Sequence, residues 1–131
     1  MTNPTTDCPI DFPLVIVESP YSGDVEANVA YARECIRDCL LRGEAPYASH
    51  LLYTQPGVLD DTVKDERLLG MKAGMAWGAK ASRTVVYIDM GFSSGMIYGI
   101  EMAKKAGRPV EYRSLGEEEP RKVLYKLETL L

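Results

Sequence analysis

The 131 residues include only one histidine and three cysteines. No cysteine or carboxylate falls at a recognisable ligand interval around His50. Cys8, Cys35 and Cys39 are odd in number, and the last two stand four apart in a helical pattern, so reduced thiols are expected and neither a metal nor a cofactor. Positive charge is also scarce. Fifteen Lys and Arg face 19 Asp and Glu, a formal net charge of -4. The two signs are interspersed, so no basic stripe offers itself to a phosphate backbone and nucleic acid is excluded as a partner. No apolar run approaches the roughly 20 residues that span a bilayer. The opening MTNPTTDCPIDFP has no basic region followed by an apolar one. The expectation is a cytoplasmic protein that meets no membrane.

What is present is ordinary globular composition, 46% apolar and 26% charged. The length suits a single domain over 1–131 that buries its own core. Residues 1–12 form a Pro-rich irregular lead, and Pro13 to Ser19 is a short apolar run of the kind that makes a strand buried on both faces. From Asp24 to Arg42 the apolar period lengthens: Val25, Val29, Ala32, Ile36 and Cys39 or Leu40 mark one helical face, closed by Gly43. APYASHLLYT, from Ala45, predicts a second strand. Thr62 and Asp65 have capping-box spacing for a helix to about Ala81. Within it Gly70, Gly74 and Gly78 form a ridge that invites a neighbouring helix or the sheet, a partner subunit, or a ligand. Arg83 to Asp89 is the clearest strand, SSGMIYGIEMAKKAG a helix, and RPVEYR a strand. A helix over 117–131 closes the chain, with Pro120 near its start.

Strand and helix thus alternate four times. This predicts an α/β fold of the doubly wound, flavodoxin- or Rossmann-like kind: a parallel sheet of four to five strands with helices on both faces. Ligands of such sheets sit at the carboxyl ends of the strands, where strand order reverses. Two loops there are rich in small polar residues. The first carries Ser19, Tyr21, Ser22 and Gly23; the second carries Gly91, Ser93, Ser94 and Gly95. Backbone amides at a helix start suit an anion, although Ser or Asp there is equally an N-cap. Neither loop is a Walker A or a dinucleotide fingerprint. A sugar or a single phosphate remains. His50, near the end of the second strand, either faces this pocket or is structural. Tyr21 and Tyr98 either stack on a ligand or cover the core edge. Asp60, Asp61, Asp65 and Glu66 are helix-start charges.

SPYSGDVEANVAYAR, PYASHLL and SSGMIYGIEMAKKAGRPV together resemble the nucleoside 2-deoxyribosyltransferase-like family, over about Val15 to Arg113. The likeness is to its small bacterial and phage-type members of unassigned function. It implies the same doubly wound fold and a nucleoside, nucleotide or related phosphorylated sugar as ligand. Members with known chemistry cleave or exchange an N-glycosidic bond, and they commonly assemble, so a homo-oligomer is expected. Tyr21 and Ser22 match the family's first loop; Ser94, Gly95 and Met96 match its helix-opening loop. The family's nucleophilic glutamate falls on Gly99, which has no side chain. Glu101 is rotated about 200° around the helix from it. Asp65 and Glu66 lie a little early for the family's assisting aspartate. Glu18 and Asp89, each at a strand carboxyl end, are the remaining candidates for catalysis. Three readings follow: an enzyme using one of those acids, a module that holds a nucleotide or ADP-ribose-like molecule in a pocket enlarged at Gly99, and an oligomeric interaction protein built on the glycine ridge.

Overall fold

The computed structural model of the protein describes residues 11–116. The expected helix over 117–131 and residues 1–10 of the expected lead lie outside them. Four strands, β1 (Leu14–Glu18), β2 (Ala45–Tyr47), β3 (Arg83–Tyr87) and β4 (Val110–Arg113), form one sheet in the order β2-β1-β3-β4. Every pairing is parallel: Ile16 lies beside Tyr47, Val17 beside Val85, and Val86 beside Tyr112. The chain moves from β1 to β2 on one side and then crosses to β3 on the other. Strand order therefore reverses between β1 and β3, and a crevice opens beyond their carboxyl ends.

Side-chain alternation sends β1 and β3 residues to two cores. Val15, Val17, Val85 and Tyr87 pack against Tyr31, Cys35 and Cys39 of helix α1 (Val25–Leu41). On the opposite face, Val86 packs with Met96 and Ile100 of helix α4 (Ser94–Lys105), and Val110 joins them. Helices thus cover both faces. Burying each such side chain contributes about 1.5–3 kcal/mol, so the central strands anchor the molecule and their ends are fixed points for loops.

Between the two lie helices α2 (Ser49–Leu52) and α3 (Lys64–Gly78). The second strand is shorter than its apolar run predicts, because the chain turns at Ala48: the Leu51 and Leu52 amides donate to the Ala48 carbonyl, and the Thr54 hydroxyl donates to the His50 carbonyl at 2.6 Å. His50 is accordingly helical. The expected capping box of α3 does not form either. The Thr62 hydroxyl donates to Asp60 Oδ1 instead, and Val63 takes the cap position.

The glycine ridge of α3 faces inward. A Cβ on Gly70 would meet Leu59, one on Gly74 would meet Ser49, and one on Gly78 would lie 3.2 Å from the Arg108 guanidinium. The ridge therefore lets α2, its following loop and Arg108 close against α3 within one chain. Beneath α1, Arg113 and Arg83 both donate to Glu44, and the Tyr87 hydroxyl donates to Asp38 at 2.7 Å. Burial alone would raise the Glu44 carboxyl, but its hydrogen bonds from the two guanidinium groups outweigh that and hold it below the usual range.

Candidate functional site

The crevice at the reversal point is a pocket whose floor is the end of β1. Its walls come from the loop after β1, from α2 and α3, and from the first two turns of α4. Glu18 is the last residue of β1. It follows Ile16 on the face away from α1, and its side chain passes under α4 to lie against Gly99. A Cβ built on Gly99 would stand 2.6 Å from Glu18 Cδ and 2.9 Å from Oε1, inside contact distance, and closer still to Oε2. The space at Gly99 is therefore not an enlargement of the pocket. The Glu18 carboxyl fills it.

Among the described residues no hydrogen bond or ion pair reaches that carboxyl. Burial pushes it up to about 8, against an opposing pull from the charge of Arg108. A carboxyl in this state is mostly protonated at neutral pH and donates rather than accepts. Beside it in sequence, buried Ser19 places Oγ 2.8 Å from His50 Nε2. Burial pushes the imidazole down to about 4, so it is uncharged at neutral pH. The floor thus presents a neutral acid, a hydroxyl and a neutral imidazole, which suits the hydroxyls of a sugar.

The loop carrying Tyr21 and Ser22 is held in place by Asn28 of α1, whose side-chain amide donates to both carbonyls, at 3.0 and 3.1 Å. Asp24, not a serine, caps α1 by accepting from the Ala27 amide. Tyr21 and Ser22 line the pocket, whereas Gly23, at φ +101°, lines an adjoining cavity under the loop after α2. On the other wall Ser93 caps α4, accepting from the Met96 amide at 3.2 Å. Its hydroxyl oxygen is thereby engaged, though Ser93 lines the pocket with Gly95, Met96, Tyr98 and Gly99. Gly91, which makes the turn after β3 at φ +78°, and Ser94 lie outside the lining.

Asp89 is not in the pocket. It continues the Val85 and Tyr87 side of β3, so its carboxylate turns toward α1, where it accepts from the Tyr31 hydroxyl at 2.6 Å and from the Leu115 amide. Alternation along the strand carried this signal: the odd positions of β3 face α1, and Asp89 is one of them. Two cations were missed. Arg108 lines the floor with its guanidinium donating to the Gly78 carbonyl at 2.9 Å and, through Nε, to Thr84 Oγ1 at 3.0 Å. Arg67 of α3 stands at the rim, 4.0 Å from where a Gly95 Cβ would be. Neither contact is visible in sequence, since the partners are tens of residues apart. Among the described residues no group of three His, Cys, Asp or Glu side chains could hold a metal.

A family model described as a domain of unknown function, DUF7768, matches residues 13–113. No curated protein matches the chain. Among solved structures, the chain is similar to the 2-deoxyribosyltransferase of the psychrotolerant bacterium Bacillus psychrosaccharolyticus. The identity is 20% and the TM-score 0.56, over 81% of this chain and 75% of that one. At that identity the likeness shows the fold. None of the helices among the described residues is long and apolar enough to cross a membrane.

Proposed function

The chain belongs to the family of the domain of unknown function DUF7768, and from the pocket that its matched segment encloses we propose that it binds a nucleoside or nucleotide and opens the N-glycosidic bond with Glu18. The observation that carries this reading is the Glu18 carboxyl lying against Gly99, the position on which the deoxyribosyltransferase resemblance puts a glutamate. The side chain comes from a strand instead of the helix, and its carboxyl lies against that position. The fold shared with a 2-deoxyribosyltransferase supports it. Tyr21, Ser22, His50 and Tyr98 would surround sugar and base, with Arg67 and the start of α4 at the anionic end of a nucleotide.

In the reaction, an ionised Glu18 oxygen bonds to the anomeric carbon as the carbon-nitrogen bond breaks. The electron pair leaves on the base nitrogen, which takes up a proton. Water or a second base then displaces the carboxylate and regenerates it. Because burial pushes Glu18 up to about 8, only about a tenth of it is ionised at pH 7, so the rate should climb with pH through about 8. Incubation with a panel of deoxynucleosides and their monophosphates at pH 6 and pH 9, with chromatography of the free base, tests this. Base released at pH 9 and lost in Glu18→Gln supports the reading; no release from any substrate at either pH sinks it.

The protonated state favours a second reading. A neutral Glu18 is a hydrogen-bond donor and no nucleophile, so the pocket would hold its nucleotide or ADP-ribose-like ligand without cleaving it. Calorimetric binding at pH 7 without release of base at pH 9 separates this from turnover. A homo-oligomer stays part of the proposal.

A further inference from the structure

Arg108 is the one cation on the pocket floor, and it is not free to move. Its Nε donates to Thr84 Oγ1 of β3 at 3.0 Å and Nη1 to the Gly78 carbonyl at the end of α3, at 2.9 Å. Gly78 has no side chain where the guanidinium packs, and a Cβ there would press on Nη2 at 3.2 Å. Two elements thus cooperate to hold one guanidinium beside the pocket, and no carboxylate pairs with it: among the described residues Arg108 has no ion pair. The Glu18 carboxyl faces the same floor with no hydrogen bond of its own. A half-buried cation without an ion pair and a half-buried acid without a hydrogen bond line the same pocket.

We propose that Arg108 is the positioning residue of this pocket: a positive charge held by Thr84 and Gly78 on the floor that Glu18 also lines, which favours the ionised form of the Glu18 carboxyl. Burial is the larger influence and favours the neutral acid, while Arg108 is the opposing one. The other charged or titratable groups lining the pocket are His50 of α2, Asp61 in the loop before α3, Glu66 and Arg67 of α3, and four tyrosines. His50 is pushed down to about 4 by burial and carries no charge above that pH. Asp61 and Glu66 stand with Arg67 toward the adjoining cavity and the rim. The floor's fixed charge is therefore Arg108 alone. Its meaning for chemistry rests on Glu18 being the reacting group, but its effect on Glu18 can be measured without substrate.

The test is a carboxyl-carbon NMR titration of Glu18 in the full chain, assigned by its disappearance in Glu18→Gln. In Arg108→Gln, whose side-chain amide nitrogen stands where Nε does beside Thr84 Oγ1 but carries no charge, the Glu18 midpoint should rise by about one pH unit or more. Arg108→Lys, which restores a charge, should bring it most of the way back. A midpoint in Arg108→Gln within about 0.3 unit of the unaltered protein, or one that Arg108→Lys leaves where Arg108→Gln put it, overturns the proposal. If Arg108→Gln does not fold, Thr84→Val decides. It keeps the charge and frees Nε, and an upward displacement of about half a unit supports the inference, while no displacement overturns it. A protein that releases no base yet shows these shifts would defeat the proposed function and leave the role of Arg108 standing.

Discussion

The side chain of Glu18 is stored in an unfavourable place. Its folded value, pushed up to about 8, lies above the 4.5 of an exposed glutamate, so the folded state holds its proton more tightly than the unfolded one. Its neutral form costs little at low pH, and stability is lost as pH rises from about 4.5 through about 8. Glu18→Gln, which removes the charge and keeps the shape, should be more stable than the unaltered protein by about 2–4 kcal/mol at pH 9 and nearly equal to it at pH 4. Urea denaturation at the two pH values reads this directly. His50 works in the other direction, since its depressed value of about 4 withdraws stability as pH falls from about 6.5. Gly99→Ala should expel the Glu18 carboxyl from its seat, because the added Cβ and Cδ would be 2.6 Å apart. Loss of any base-releasing activity with little loss of stability is the expected outcome, as the end of the glutamate side chain has the open pocket to move into. Placing glutamate at 99 alone meets the same obstacle. The informative variant is the double exchange Glu18→Ala with Gly99→Glu, which moves the carboxylate from strand to helix and should restore part of the activity that Glu18→Ala loses.

At the level of elements, α3 depends on what its glycines admit. A leucine at Gly74 would drive into Ser49, whose Cβ and Oγ would each be 3.1 Å from even a single methyl there, and should part α2 from α3. A cost of about 2 kcal/mol and a disturbed His50 environment, followed by thermal melting and the histidine ring resonances, are expected. The cap of α4 is more conventional: Ser93→Ala removes the acceptor of the Met96 amide and should cost about 1 kcal/mol. Much of this level was legible in sequence. The continuous apolar runs gave β1 and β3, and the three- and four-residue spacing gave α1, because each depends on a long stretch of one period. Where the run was short the period was ambiguous, and Ser49 to Leu52 became a turn of helix at the end of a three-residue strand. The side of the sheet to which an acid points was also readable, since Glu18 keeps step with Ile16 and Asp89 with Tyr87. Arg108 was not. Its position depends on the Gly78 carbonyl and Thr84 hydroxyl, and only the folded backbone brings those together.

The whole molecule is a sheet whose two faces are fastened by different means. The α4 face is apolar, with Val86, Met96 and Ile100. The α1 face adds a buried ionic cluster around Glu44, which Arg113 and Arg83 both contact. Glu44→Ala would leave the Arg113 guanidinium buried with its principal acceptor gone and should cost about 3–5 kcal/mol, measured by chemical denaturation. Acid should act on the same cluster. The Glu44 carboxyl is held below 4.5, so its contribution is present above that value and is lost as pH falls through the lower folded one. The cluster lies across the sheet from the pocket, which separates what keeps the chain folded from what the pocket is free to change. Glu18 and Gly99 share a single volume between strand and helix, so the two positions are mutually exclusive hosts for one acid. Across members of this family, a side chain gained at the helix position should be accompanied by a shortened one at the strand end, and that paired exchange would be a hereditary signature of the carboxylate having changed its point of attachment.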